Sequence, residues 1–127
     1  MNELHPPGDA LSHQQVLLVE DNFLVGLSLK SIIESYGCNV IGPVASVEEG
    51  LLSIEQEGID QAVLDINILG GTSVPIAEAL HSRNIPFLFV TGYNSPRLLP
   101  DYLKECRQVR KPVDGRVLRD ALLEETA

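Results

Sequence analysis

The stretch Val16-Leu17-Leu18-Val19-Glu20-Asp21 decides the fold class of this chain of 127 residues. Four consecutive apolar residues followed at once by two acids are typical of a short strand buried on both faces, as in a parallel sheet. Asn22 fits the N-cap of a helix, and apolar residues then recur on one helical face from Val25 to Tyr36. Gly37 is suited to ending that helix. The sequence therefore predicts a strand followed by a helix over residues 16–37.

The same strand-then-helix pattern recurs along the chain. Further strands are predicted at Val40-Ile41, Ala62-Val63-Leu64, Phe87-Leu88-Phe89-Val90 and Gln108-Val109-Arg110. Further helices are predicted around residues 46–58, 74–80 and 113–122, with a weaker one near Pro96–Glu105. Five alternations in about 110 residues indicate a doubly wound α/β fold, with one five-stranded parallel sheet and helices on both faces.

Residues 1–13 lie outside this pattern. They are polar and are broken by Pro6, Pro7 and Gly8, so we expect a flexible N-terminal tail and a single domain over residues 14–127. This N-terminus lacks the basic segment followed by an apolar segment that marks a secretory signal. No apolar run in the sequence approaches the roughly 18 residues that span a membrane. Cys38 and Cys106 form no disulfide framework. We expect a cytoplasmic protein.

The charge is unevenly distributed. The net charge is −9, yet residues 1–82 carry −11, with Lys30 as their only basic residue, and residues 83–127 carry +2. The overall balance argues against binding nucleic acid or an anionic membrane through net charge. The late basic residues mark a candidate docking surface for an acidic protein partner, with solvated helix faces as the alternative explanation. They are Arg97, Lys104, Arg107, Arg110, Arg116 and Arg119.

Polar residues follow the predicted strands at their carboxyl ends, which meet at one edge of a parallel sheet and bind ligands there. Glu20-Asp21, Asp65, Thr91 and Lys111 hold these positions. Three clustered carboxylates stay ionised only beside a cation, and Mg²⁺ suits oxygen ligands and bridges to phosphoryl oxygens. An ammonium and a hydroxyl can meet the remaining phosphoryl oxygens. Asp65, alone on the central strand, is the candidate nucleophile that forms an aspartyl-phosphate.

As a set in this order and spacing, these motifs resemble the receiver domains of two-component response regulators over roughly residues 14–125. The motifs are VLLV before Glu20-Asp21, AVLD ending at Asp65, FLFV before Thr91, and Lys111-Pro112. The resemblance implies a flavodoxin-like fold with strand order 2-1-3-4-5. It also implies a signalling phosphoacceptor rather than an enzyme. Such a phosphoacceptor would receive its phosphoryl group on Asp65 from a histidine kinase or a phosphotransfer protein.

The resemblance further assigns roles to single residues. Glu20, Asp21 and Asp65 would hold Mg²⁺ together with the backbone carbonyl of Asn67. Thr91 would contact the phosphoryl group in the active form, and Lys111 would pair with it. The Lys111-Pro112 peptide is expected to be cis, which is inexpensive only before proline.

A finer resemblance and one departure concern the second half of the chain. Phe89-Val90-Thr91-Gly92-Tyr93 is similar to the Phe-Ala-Thr-Gly-Tyr signature of a subgroup common in alphaproteobacteria, and DINILGG and Pro86-Phe87 also resemble it. Its members are often single-domain regulators partnered with histidine kinases of the HWE or HisKA2 type. Most receivers carry Phe or Tyr three residues before the lysine, where this chain has Gln108. The usual threonine–aromatic switch is therefore missing, and Tyr93 is either its replacement or an ordinary loop aromatic.

The segment between Thr91 and Lys111 contains Pro96 and Pro100, so we predict that its helix is short, irregular or mobile. We hypothesise that this segment orders on phosphorylation and that residues 93–119 face a downstream protein. We expect no effector domain, so output would pass through protein contacts, or the domain would act as a phosphate sink or relay.

Two other functional classes compete with this interpretation. An aspartyl-phosphate phosphatase of the haloacid-dehalogenase type needs a second acid where Asn67 stands. A pseudo-receiver would be a binding module that never takes phosphate, and the intact acidic set with Thr91 and Lys111 argues against it.

Overall fold

The computed structural model describes residues 10–92 and 95–126 of the chain. The central strands are β1 (Gln15–Val19), β2 (Asn39–Val44), β3 (Gln61–Asp65), β6 (Phe87–Thr91) and β7 (Gln108–Arg110). A small hairpin is formed by β4 (Asn67–Ile68) and β5 (Gly71–Thr72). The helices are α1 (Phe23–Glu34), α2 (Val47–Gln56), α3 (Val74–Ser82) and α4 (Gly115–Thr126).

The five central strands form one parallel sheet in the order β2-β1-β3-β6-β7. Counting these strands alone, the order is 2-1-3-4-5, which confirms the predicted doubly wound, flavodoxin-like topology. β3 lies in the middle, and every residue in it is buried. The apolar runs of β1, β3 and β6 are continuous because both faces of these strands are covered, as inferred from the sequence.

Two hydrophobic cores lie on opposite faces of the sheet. Leu17, Leu64 and Phe89 pack on one face with residues of α2 and α3. Leu18, Val63, Leu88 and Val90 pack on the other face with α1 and α4. Successive strand residues point to opposite faces, so each apolar run supplies both cores. Burying one Leu side chain contributes about 1.5–3 kcal/mol to the stability of the folded state. The two cores therefore hold the strands, and with them the carboxyl edge of the sheet, in a fixed position.

Side-chain caps fix where the first two helices begin. The Asn22 side-chain oxygen accepts a hydrogen bond from the Val25 amide at 3.0 Å, as predicted for the N-cap of α1. Ser46 caps α2 by accepting from the Glu49 amide at 3.1 Å, and the Glu49 carboxylate accepts from the Ala45 amide at 2.9 Å. This reciprocal pair is a capping box. The cap on Asn22 also fixes the chain next to Glu20-Asp21.

The packed part of the chain begins ahead of residue 14. Leu11 is fully buried in the core shared with α1 and α4, and the His13 amide donates to the Gly37 carbonyl. The boundary predicted between tail and domain is therefore too late by at least three residues, because a single leucine in a polar stretch gives no periodic signal. Residues 1–9 lie outside the described part of the chain.

The segment between β6 and β7 is irregular, as its prolines predict. Among residues 95–106 the chain forms two short 3-10 helices, Ser95–Leu98 and Asp101–Leu103, with Pro100 between them. The buried side chains of Leu99 and Leu103 fasten this segment to the core.

Within residues 10–92 and 95–126, none of the helices has both the length and the apolar character required to cross a membrane.

A bulge interrupts β2, and the sequence analysis did not predict it. β1 pairs with β2 in register from Gln15 to Leu17, but Val19 then faces Val44, so one extra residue of β2 is accommodated. Gly42 makes this possible with a φ of +114°, and a Cβ there would lie 2.6 Å from the Leu18 carbonyl oxygen. Position 42 therefore requires glycine for both conformation and space.

We expect Gly42→Ala to lower the free energy of unfolding by about 3 kcal/mol, since it combines a strained φ with a backbone collision. Gly71→Ala is the matched control, because Gly71 has a similar φ of +126° but its Cβ would meet no described atom within 4 Å. It should cost about 1 kcal/mol. Urea unfolding measures both changes, and equal losses in the two variants would contradict the importance of the close approach at Gly42.

Candidate functional site

The carboxyl edge of the sheet gathers the acidic residues predicted from the sequence. Glu20 and Asp21 directly follow β1, and Asp65 is the last residue of β3. Carboxylate oxygens of these three residues all lie within 4.8 Å of one another. Glu20 and Asp65 are buried, whereas Asp21 is exposed. The cluster thus opens to solvent on one side, where a ligand can enter.

Lys111 supplies the positive charge beside this cluster. Its Nζ lies 2.9 Å from Glu20 Oε1 and 3.5 Å from Asp65 Oδ1, and its side chain is 27% exposed. Lys111 comes just after β7, and its amide donates to the Thr91 carbonyl at 2.9 Å. The Lys111-Pro112 peptide is cis, as expected. The parallel pairing of β6 with β7 therefore delivers the ammonium to the end of β3.

Glu20 is held from two directions. Its amide donates to the Val44 carbonyl at 2.9 Å, across the bulge of β2. Its Oε2 accepts a hydrogen bond from the Asn22 amide at 3.1 Å, while Oε1 faces Lys111. Glu20 as a whole is only 2% exposed. Burial and these contacts together fix the direction of its carboxylate.

The electrostatics of the site disfavour a negative charge on Asp65. Burial raises the pKa of the Asp65 carboxyl to about 7, the charge of Glu20 adds to the rise, and the Lys111 ammonium opposes it. Burial also works to lower the pKa of Lys111, but its hydrogen bond to Glu20 and the two carboxylate charges outweigh burial and raise it. One ammonium is therefore too little charge for three carboxylates. The all-oxygen donor set, partly open to water, suits a hard divalent cation such as Mg²⁺.

Thr91 and Asn67 occupy the positions expected from the strand ends. Thr91 ends β6 and is buried, and β3 and β6 pair so that Asp65 faces Val90, the residue before it. Asn67 lies two residues past Asp65, at the start of the β4–β5 hairpin, where it pairs with Thr72. The side chain of Asn67 is exposed. The assignment of its backbone carbonyl as a metal ligand stays a prediction.

Two further positions are those that the sequence analysis connected with a switch. Gln108 lies in β7 opposite Phe89, and its side-chain amide donates to the Lys104 carbonyl at 3.0 Å. The side chain of Gln108, where the sequence resemblance leads one to expect an aromatic ring, is therefore tied to the backbone of the preceding segment. Tyr93, the candidate replacement, lies outside the described residues.

The hairpin beside the site was missed by the sequence analysis. Leu69 joins it to the start of α2: its amide donates to the Ala45 carbonyl at 3.2 Å, and its carbonyl accepts from the Val47 amide at 3.4 Å. The only sequence signal is the pair Gly70-Gly71, whose positive φ values allow the tight turn. The hairpin fixes the chain that leaves Asp65.

A family model described as the response regulator receiver domain matches residues 16–123. The chain belongs to this family. The solution structure of SdrG from Sphingomonas melonis Fr1 is 34% identical to this receiver domain, with a TM-score of 0.79, and the match covers 91% of this chain and 98% of that one. The comparison with curated proteins gave no match.

Two further solved structures share the receiver fold at lower identity. A CheY-like receiver domain from Methylobacillus flagellatus is 23% identical with a TM-score of 0.78, covering 90% of this chain and 99% of that one. The response regulator PhyR from Brucella abortus is 23% identical with a TM-score of 0.80, covering 94% of this chain but 50% of that one. This receiver domain thus spans half the length of that PhyR chain.

The predicted basic surface of the receiver domain is partly neutralised by its own acids. Lys104 Nζ lies 3.3 Å from Asp101 Oδ1, and Arg107 pairs with Glu124. Arg97, Arg110 and Arg116 are exposed. Exposed apolar groups also lie here, since Leu98 and Tyr102 have large accessible fractions. The surface is therefore mixed in character rather than uniformly basic.

We expect Asp65→Asn to stabilise the metal-free receiver domain at pH 8, by on the order of 2 kcal/mol. The raised pKa of Asp65 means that the folded state holds a proton that the unfolded state loses between about pH 4 and 7. The native protein therefore loses stability as the pH rises through this window, and the variant is spared that loss.

Urea unfolding in a chelator at pH 8 and pH 4.5 measures the effect, which should shrink strongly at the lower pH. Asp120→Asn, at an exposed acid of α4, is the control and should show no such gain. A gain for Asp65→Asn that is the same at both pH values would contradict the electrostatic cause.

Proposed function

We propose that this receiver domain is the phosphoacceptor of a two-component phosphorelay. Asp65 takes a phosphoryl group from the phosphohistidine of a histidine kinase or phosphotransfer protein, in a site that binds Mg²⁺. The observation that carries the proposal is the convergence of three carboxylates within 4.8 Å of one another, beside the ammonium of Lys111. This combination matches the charges that phosphoryl transfer to a carboxylate requires.

The residues divide the chemistry among them. An Asp65 carboxylate oxygen forms the new P–O bond while the P–N bond to the donor histidine breaks, and the imidazole leaves. The Lys111 ammonium, already 3.5 Å from Asp65 Oδ1, is placed to pair with a phosphoryl oxygen. The Thr91 hydroxyl donates to another. Mg²⁺, when bound by Glu20, Asp21, Asp65 and the Asn67 carbonyl, supplies the remaining positive charge and favours the ionised form of Asp65.

The signal ends when water attacks the phosphorus atom, which releases inorganic phosphate and restores the Asp65 carboxylate. The receiver domain thus assists its own phosphorylation and dephosphorylation without acting as an enzyme on a separate substrate. Because Glu20 and Asp65 are buried, the attacking water would enter from the exposed side at Asp21.

We further propose membership of the alphaproteobacterial Phe-Ala-Thr-Gly-Tyr subgroup, a cytoplasmic location and a kinase of the HWE or HisKA2 type as the phosphodonor. The support is the stretch Phe89-Val90-Thr91-Gly92-Tyr93 and the 34% identity to SdrG from Sphingomonas melonis Fr1. Gln108 in place of an aromatic residue is consistent with a switch that differs from that of most receivers.

The output is proposed to pass through the 93–119 face to a downstream protein. Two short 3-10 helices, rather than one regular helix, fill residues 95–103, and such turns are held by few hydrogen bonds. The hydroxyl of Tyr102 donates to the carboxylate of Glu78 and links this segment to α3. A segment of this kind can change its order at low cost when Thr91 moves toward a phosphoryl group.

Incubation with Mg²⁺ and acetyl phosphate should add one phosphoryl group to the protein, as read by intact mass. Asp65→Ala should abolish the adduct because it removes the nucleophile, whereas Asp60→Ala, at an exposed acid at the opposite end of β3, should retain it. Omission of Mg²⁺ should also prevent the adduct. Failure of the native protein to form any adduct would instead favour a pseudo-receiver that binds partners without phosphate.

Phosphorylation, or a stable phosphoryl mimic with Mg²⁺, should slow amide hydrogen exchange across residues 95–106. The reason is that an irregular segment joined to the strand end at Thr91 becomes ordered when the hydroxyl is engaged. Exchange in β1, which pairs with β2 on one side and with β3 on the other, serves as the internal control. Unchanged exchange in residues 95–106 would rule out this segment as the switch.

A further inference from the structure

α1 and β2 approach each other unusually closely at Gly26. This glycine is buried in the first half of α1, opposite the ring of Pro43 in the β2 bulge. A Cβ at position 26 would lie 2.9 Å from Pro43 Cγ and 3.0 Å from Pro43 Cβ. Real side chains do not fit at such distances, so a methyl group here must push α1 and β2 apart.

Both elements that meet at Gly26 also hold Glu20. On the β2 side, the residue after Pro43 is Val44, whose carbonyl accepts from the Glu20 amide at 2.9 Å. On the α1 side, the Asn22 amide donates to Glu20 Oε2 at 3.1 Å, and Gly26 closes the same helical turn by donating to the Asn22 carbonyl at 2.8 Å. A separation at Gly26 would therefore strain both hydrogen bonds of Glu20.

The position is also close to Glu20 itself. The same Cβ at position 26 would lie 3.7 Å from Glu20 Cγ, which is van der Waals contact. Glu20 has its other oxygen 2.9 Å from Lys111 Nζ, so a shift of its carboxylate would be felt across the acidic cluster. The spacing between α1 and β2 is thus coupled to the direction of this one carboxylate.

We propose that Gly26 and Pro43 form a positioning pair that sets the Glu20 carboxylate for Mg²⁺, an inference that rests on the proposed metal site. Neither residue touches the metal. They act through the Val44 carbonyl and the Asn22 amide, as outer contacts act on the ligands of a metal site. Loss of such contacts typically costs 10–100-fold in metal affinity, so we expect Gly26→Ala to weaken Mg²⁺ binding about tenfold.

The test is a titration of the unphosphorylated protein with Mg²⁺ alone. Binding is measured from the NMR amide signals of residues 20 and 65. Gly50→Ala is the matched control, because Gly50 is also a buried helical glycine with a close neighbour: its Cβ would lie 2.4 Å from Ile76 Cδ1, in the packing of α2 on α3. Urea unfolding of each variant records the general cost of the added methyl group.

The expected result is a weaker Mg²⁺ affinity in Gly26→Ala and an unchanged affinity in Gly50→Ala, whatever their stabilities. Native affinity in Gly26→Ala, or an equal loss of affinity in both variants, overturns the positioning role. If the native protein itself binds no Mg²⁺, the proposed function fails together with this inference.

Pro43→Ala provides a second variant if Gly26→Ala does not fold. It removes the ring atom nearest Gly26 and opens the same contact from the β2 side. It should also weaken Mg²⁺ binding, because the Val44 carbonyl loses its support. A Pro43→Ala variant that folds and binds Mg²⁺ with native affinity contradicts the proposal.

Discussion

The mutual repulsion of three carboxylates around one ammonium is the constraint on which the rest of this structure depends. Like charges about 4 Å apart near a protein surface cost on the order of 4 kcal/mol per pair. Glu20, Asp21 and Asp65 are nevertheless brought within 4.8 Å, with Lys111 as the cation beside them. Left to itself, such a cluster would separate or take up protons, and the raised pKa of Asp65 shows the second tendency. The fold must therefore supply the force that keeps the acids together.

That force comes from the apolar strands behind the acids. β3 is buried along its whole length between β1 and β6, and its residues feed the cores on both faces. Moving Asp65 away from Glu20 would require β3 to slide past β1, which would misplace every buried side chain on both strands. The hydrophobic free energy of the sheet thus holds a polar arrangement that is unfavourable by itself. A divalent cation bound here would relieve the repulsion, and its binding would then be coupled to the stability of the sheet edge.

The features that could be predicted from the sequence depend on local patterns, whereas the bulge at Gly42 and the burial of Leu11, which were missed, depend on contacts distant in sequence. The runs ending at Glu20, Asp65 and Thr91 are apolar because their own strands are buried, so the sheet and the acidic cluster follow from reading each run alone. The bulge at Gly42 depends instead on the Leu18 carbonyl and on how closely α1 approaches at Gly26. Leu11 is buried by partners in α1 and α4, and nothing near it in the sequence indicates this.

The two sides of the site are built with different stiffness, and this difference suits a switch. On the side of the acidic cluster, Glu20 is fixed by two hydrogen bonds, an ion pair and the tight packing of Gly26 on Pro43. On the other side, Thr91 leads into a segment of two 3-10 helices, anchored by the buried side chains of Leu99 and Leu103. A phosphoryl group placed between them would meet a rigid partner and a compliant one. The free energy of its new contacts would therefore be expressed as movement on the Thr91 side, because the Glu20 side can respond only by disrupting the packing of α1 on the sheet.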